Sequence, residues 1–164
     1  ASAAGLGAVT ATEARLATQL AEAYKEMGWW KRAEAAYLRA LPYYEKEDGV
    51  GGSRCLQLWG ELAAIRMQRG AYALATRDFA HIATMTELVH GDTSTELIPP
   101  LERLCKACVL ARRWQPARDA LSRALAISRE RLGPAHRDTA RIQQVLGNLQ
   151  RYAKPASGPD FNKP

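Results

Sequence analysis

"GWWKRAEAAYLRAL" spans residues 28–41, and two later stretches repeat its plan: "GAYALATRDFAHIA" at 70–83 and "RRWQPARDALSRAL" at 112–125. The spacing is constant. Gly28, Gly70 and Arg112 lie 42 residues apart, and the same step links Trp30, Tyr72 and Trp114. It also links Ala33, Ala75 and Ala117, then Tyr37, Phe79 and Leu121. Ahead of each turn Leu20, Leu62, Leu104 and Leu146 hold the phase, each followed by a small residue: Ala21, Ala63, Cys105 and Gly147. A fixed period of this length marks stacked repeats, each unit being one supersecondary element that cannot bury its apolar face alone.

Two helical patterns fill each unit. The first helices are expected over 12–27, 54–69, 96–111 and 138–153, the second over 30–47, 72–89 and 114–131. Glycine at most of the turns inside a unit suits a helix C-terminus. The links "EDGVGGS", "VHGDTST" and "LGPAHRD" end in Ser53, Thr95 and Asp138, residue types that cap a helix start. Pro99 and Pro100 require a helix that begins beside them, since proline is tolerated in a first turn only. The alternation of small and large residues has a packing reason. Helices approach closely where Ala21 meets Ala33 and Ala63 meets Ala75, and Tyr37 or Phe79 fills the gap to the next unit. Leu20, Leu62 and Leu104 are accordingly expected in the core.

These residues resemble the tetratricopeptide repeat, whose signature is a Leu-Gly/Ala pair, then Tyr, Gly-x-aromatic, Ala, aromatic and Ala. The first unit reads Leu20, Ala21, Tyr24, Gly28, Trp30, Ala33, Tyr37, Ala40, and the second Trp59, Leu62, Ala63, Gly70, Tyr72, Ala75, Phe79. In the third, Arg112 replaces the glycine and Leu121 the aromatic. The 42-residue period and "ALAISRERLGPAHRDTA" (124–140) are similar to the kinesin-light-chain-like subtype. The resemblance implies an all-α, right-handed superhelical array of antiparallel pairs, about seven helices in all. Three units at about 12–53, 54–95 and 96–137 would be closed by a capping helix at 138–153. A flexible segment (1–11) and a mobile tail (154–164) would flank them.

By the same resemblance, the first helices line a concave groove, and the chain is an interaction scaffold or adaptor that binds a peptide or helix of a partner protein. The helical phase opposite the packed Leu and Ala positions sends Lys25, Arg103, Lys106, Arg141, Asn148 and Arg151 to that groove. Charge adds a direction. The net charge is +6; residues 1–94 carry 10 basic and 11 acidic side chains, residues 95–164 carry 13 and 6. A one-sided field attracts partners of opposite sign, so the expected ligand is an acidic or acidic-aromatic segment on the C-terminal units. The chaperone-tail clamp of other tetratricopeptide proteins matches poorly, because Thr18, Glu22 and Glu61 stand where it wants Lys and Asn. The alternative, a helical-repeat RNA binder, draws on the same basic half. It lacks a recurring polar code, since Glu22, Ala64 and Lys106 share one phase.

Other classes find little support. No H-E-x-x-H, P-loop or G-x-S-x-G occurs, so no enzyme, catalytic residue, cofactor, metal or small-molecule substrate is expected. His81 reads as a packed histidine and His136 as a cap. Cys105 and Cys108 form a C-x-x-C inside a helical pattern, beside Leu101 and Leu104, and read as reduced, buried, metal-free core residues. That places the chain in a reducing intracellular compartment, the cytoplasm or an organelle matrix or stroma. No apolar run approaches the ~20 residues of a membrane span, so no membrane insertion is expected.

Overall fold

The computed structural model describes residues 9–152, so most of the 1–11 segment and all of the 154–164 tail lie outside the described residues. It contains seven α-helices, among the described residues, and no strand: α1 (Ala11–Glu26), α2 (Trp30–Glu47), α3 (Ser53–Gln68), α4 (Tyr72–His90), α5 (Ile98–Leu110), α6 (Trp114–Arg131) and α7 (Arg137–Tyr152). A single 3-10 turn, Thr95–Leu97, leads into α5. Each helix packs on its neighbours in chain order, which is the arrangement of a linear stack.

The hydrogen bonds explain the period. After α1 the N–H of Trp29 donates to the carbonyl of Tyr24 (2.8 Å) and that of Gly28 to Lys25 (3.0 Å). Ala71 to Arg66 and Gly70 to Met67 repeat this after α3, and Arg113 to Cys108 and Arg112 to Val109 after α5. Each is a Schellman closure, which needs a left-handed residue just past the helix. Gly28 (φ 72°) and Gly70 (φ 73°) supply it freely, whereas Arg112 is held there at φ 56° despite its side chain.

Helix starts differ from expectation by small steps. Thr10 and Glu13 form a capping box at α1. Gly52 rather than Ser53 is the N-cap of α3, and Ser94 rather than Thr95 caps the 3-10 turn. At α7 the Nδ1 of His136 accepts from the Asp138 N–H at 3.2 Å, so the histidine is the cap. Pro99 and Pro100 occupy the first turn of α5. Pro42 lies inside α2 on an exposed position, leaving the Leu38 carbonyl without its usual donor.

Core packing follows the small-and-large alternation. Ala21, Ala33, Ala63, Ala75 and Ala117 are fully buried, and Tyr37, Phe79 and Leu121 fill the layers between units. Cys55, Cys105 and Cys108 are free and buried. Burial pushes the thiols of Cys55 and Cys105 up to about 11 and raises that of Cys108, so all three stay protonated near neutral pH. His81 is half-buried, its ring 4.8 Å from that of Trp59.

One expectation fails. Leu62 is fully buried and Leu104 half-buried, but Leu20 is 48% exposed. The reason is position in the stack. Leu62 packs with Tyr37, Leu41 and Tyr44 of α2, the second helix of the unit before it. No helix precedes α1 among the described residues, so Leu20 has no second helix in front of it to pack against.

The first two units are also tied by charge. Arg66 on α3 donates to Glu34 on α2 (2.8 Å) and Asp78 on α4 (2.5 Å), and Arg69 joins Glu34 from the side. Burial raises the Asp78 carboxyl, with Arg66 pulling it the other way.

Candidate functional site

First helices line two adjoining cavities. The larger, about 540 Å³, lies between α3 and α5. Gly60, Ala64 and Met67 form one wall, with Arg103 and Lys106 opposite. Its room comes from residue size: at Gly60 the nearest atom an added Cβ would meet is the Arg103 guanidinium, 4.0 Å away. The smaller, about 340 Å³, lies between α1 and α3, and Gln57 and Glu61 belong to both. Gln57, Gly60, Glu61, Ala64 and Met67 fall on one face of α3, and all five line the larger cavity.

The six expected site residues separate into three kinds. Arg103 and Lys106 are exposed, lie one turn apart on α5, and face the same cavity. Among the described residues neither is paired with a carboxylate. Lys25 and Arg141 are already neutralised. The Lys25 ammonium sits 2.7 Å from Glu61, which raises its pKa. Arg141 makes a two-point contact with Glu102 at 2.6 and 3.1 Å, with Asp138 nearby. Asn148 and Arg151 are exposed on α7 and line neither cavity.

Part of the C-terminal positive charge is engaged within the chain. Arg123 pairs with Glu87 at 2.9 Å, Arg131 binds Thr93, and Arg129 donates to Gln143. With Arg66 and Arg69 held by Glu34, these arginines are scattered and tied down.

Sequence reasoning missed two features. Arg54 lines the smaller cavity; it lies one turn before Gln57 on the same face of α3, so the helical phase already pointed to it. Tyr37 fills the layer between units as expected, but its hydroxyl is buried at that cavity's floor without a partner. No residue pattern gives the direction of a single hydroxyl.

Among the described residues no helix is long and apolar enough to cross a membrane, and no cluster of three or more metal-ligating side chains occurs.

No protein-family model matches the chain, and no curated protein matches it in sequence. Solved structures do. The crystal structure of BtubC (BKLC) from P. vanneervenii superposes with a TM-score of 0.69 at 18% identity over 85% of this chain, which spans 56% of that structure. A putative kinesin light chain of Podospora anserina with nearly identical TPR-like repeats gives 0.67 at 17% identity, covering 87% of this chain and 68% of that one. The TPR2B domain of yeast Sti1, in its complex with pHsp70, gives 0.58 at 15% identity and covers 87% and 99%. The period, the three Schellman turns, the alternating core and these superpositions agree: the chain has the tetratricopeptide-like repeat fold, in the form shared by kinesin-light-chain-like structures.

Proposed function

We propose that the chain is a non-enzymatic interaction scaffold whose first-helix groove binds a carboxylate-bearing, acidic or acidic-aromatic segment of a partner protein. One observation carries this reading: Arg103 and Lys106 stand side by side over a cavity walled by Gly60 and Ala64, with no carboxylate of their own. Two unpaired cations facing an open, small-residue wall favour an anionic group beside a bulky side chain. The yeast Sti1 domain, of the same fold and solved with pHsp70, supports use of such an array for protein ligands. The binding centre is narrower than charge counting suggests. It rests on Arg103 and Lys106, with Arg151 and Asn148 at the C-terminal margin and Lys25 and Arg141 acting through their salt bridges. RNA binding is the weaker reading, because Arg123, Arg131 and Arg141 are engaged within the chain and no polar code recurs at one phase of the units.

The test is selection from a peptide library varied in charge and aromatic content. Acidic-aromatic sequences should be enriched, and added salt should slow their association more than it speeds release. Arg103→Glu with Lys106→Glu should abolish binding at unchanged helicity, while Arg15→Glu with Lys25→Glu should cost less. Enrichment of basic or neutral sequences, or a greater loss in the N-terminal pair, overturns the reading. Tight single-stranded RNA binding at physiological salt without peptide enrichment replaces it by the alternative.

A further inference from the structure

A second surface lies away from the groove. At the front of the array, α1 and α2 enclose an open depression of about 530 Å³. Leu16 (56% exposed) and Leu20 (48% exposed) form its aliphatic centre, with Tyr24 and Ala36 beside them and Arg32 and Arg39 along the rim. The repeat itself shows what this face is chemically. At 42-residue steps Leu16 becomes Leu58, Pro100 and Ile142, all buried, and Leu20 becomes Leu62, Leu104 and Leu146, buried or half-buried. In the later units these residues join core clusters with the second helix of the preceding unit. The front of the first unit therefore has the chemistry of a packed interface and no packing among the described residues.

We propose that this face pairs with the same face of a second copy of the chain, in a two-fold dimer. The polarity of the two ends selects that occupant. The rear of α7, at the phase of Ala14, Ala17, Ala21 and Tyr24, presents Ala140, Gln143, Gly147 and Gln150, so head-to-tail association would set leucines against small residues and amides. Front-to-front association sets leucine against leucine and closes on itself, as most homo-oligomers do. The charges agree with a two-fold axis through the centre of α1. Glu13 stands at one end of the depression. Arg32 stands at the other, its guanidinium 5.9 Å from the Tyr24 ring and 4.8 Å from that of Trp29. An axis between them lays Glu13 of each copy between Arg39 of its own chain and Arg32 of the other. Two ion pairs then flank one apolar centre, and the aromatic rings hold each arginine in place. The concave groove stays open on both copies.

Sedimentation of the full chain over a concentration series tests this. The average mass should rise toward that of two chains by about 100 µM, as for a micromolar dissociation constant. Leu16→Glu with Leu20→Glu should stay monomeric over the same range at wild-type helicity, because both residues are exposed in one chain. Arg32→Glu should weaken association about tenfold or more, and Glu13→Gln, which keeps a capping box, should weaken it less. Val145→Glu at the opposite end should leave it unchanged. A wild-type chain that is monomeric at about 100 µM overturns the proposal. So does a dimer indifferent to the leucine pair, or one broken equally by Val145→Glu.

Discussion

At the front of the array, Leu16 and Leu20 keep the aliphatic side chains that Leu58 and Leu62 bury one unit later. At the rear, α7 departs from its template. The positions of Ala14, Ala17 and Ala21, buried between α1 and α2, return in α7 as Ala140, Gln143 and Gly147, facing outward. Both ends lack a neighbouring helix among the described residues, yet only the rear has glutamine on the uncovered face. A capping helix in a repeat array needs a polar outer side. By that standard α7 is built as a cap and α1 is built as an interior helix. The energetic consequence is that one sequence position can be worth several kcal/mol in one unit and almost nothing in another.

The largest expected effect tests this directly. Leu62→Ala should destabilise by about 2–5 kcal/mol, as core leucine truncations do. Leu20→Ala at the same phase should cost less than about 1 kcal/mol, as exposed changes do. Denaturant unfolding at low chain concentration gives both values. Equal losses there would mean that the front is covered within one chain. If front-to-front pairing occurs, the gap should narrow as concentration rises, because Leu20 then becomes buried too.

Next in size is overpacking at the close approaches. Ala75 is fully buried where α3 closes on α4. Ala75→Leu should cost about 1–3 kcal/mol, seen as a lower melting temperature. An unchanged melt would mean that these helices do not meet at Ala75.

The parts legible in the sequence were those that recur. Seven helices, their turns and the small-large core follow from one period, because the same physical demand is met three times. The cavity wall on α3 obeys the same regularity, as Gly60, Ala64 and Met67 occupy one phase of that helix. What escaped depends on position along the stack or on pairs distant in sequence. Leu20 has the same local pattern as Leu62 and differs only in lacking a helix in front. The pairings of Lys25 with Glu61 and Arg141 with Glu102 cross 36 and 39 residues, so a charge count could not reveal that these cations are already engaged.

The turns inside the units give a smaller effect of opposite sign. Arg112 holds a left-handed backbone where Gly28 and Gly70 stand in the other units. That conformation costs a side-chain-bearing residue about 1–2 kcal/mol, partly offset by the greater entropy glycine has when unfolded. Arg112→Gly should therefore stabilise by about 0.5–1 kcal/mol, and Gly70→Ala should destabilise by a similar amount. Chemical denaturation of both variants checks the pair, and a loss of stability in Arg112→Gly would show that the arginine side chain contributes more than its strain.

The smallest effect returns to the rear of the array. Gly147 occupies the phase of Ala21, Ala63 and Cys105, where those side chains lie in the core. In α7 nothing lies within 4 Å of where its Cβ would be. With no steric partner, only the backbone preference remains, and glycine inside a helix is less stable than alanine by about 0.5–1 kcal/mol. Gly147→Ala should thus raise stability by up to that amount, and hydrogen exchange across α7 should slow accordingly. Gly147→Leu should also be tolerated, in contrast to Ala75→Leu, because one side chain enters solvent and the other a closed layer. If Gly147→Leu proved as damaging as Ala75→Leu, something would have to pack on the rear of α7. That face would then be an interface like the front, and the contrast between the two ends of the molecule would disappear.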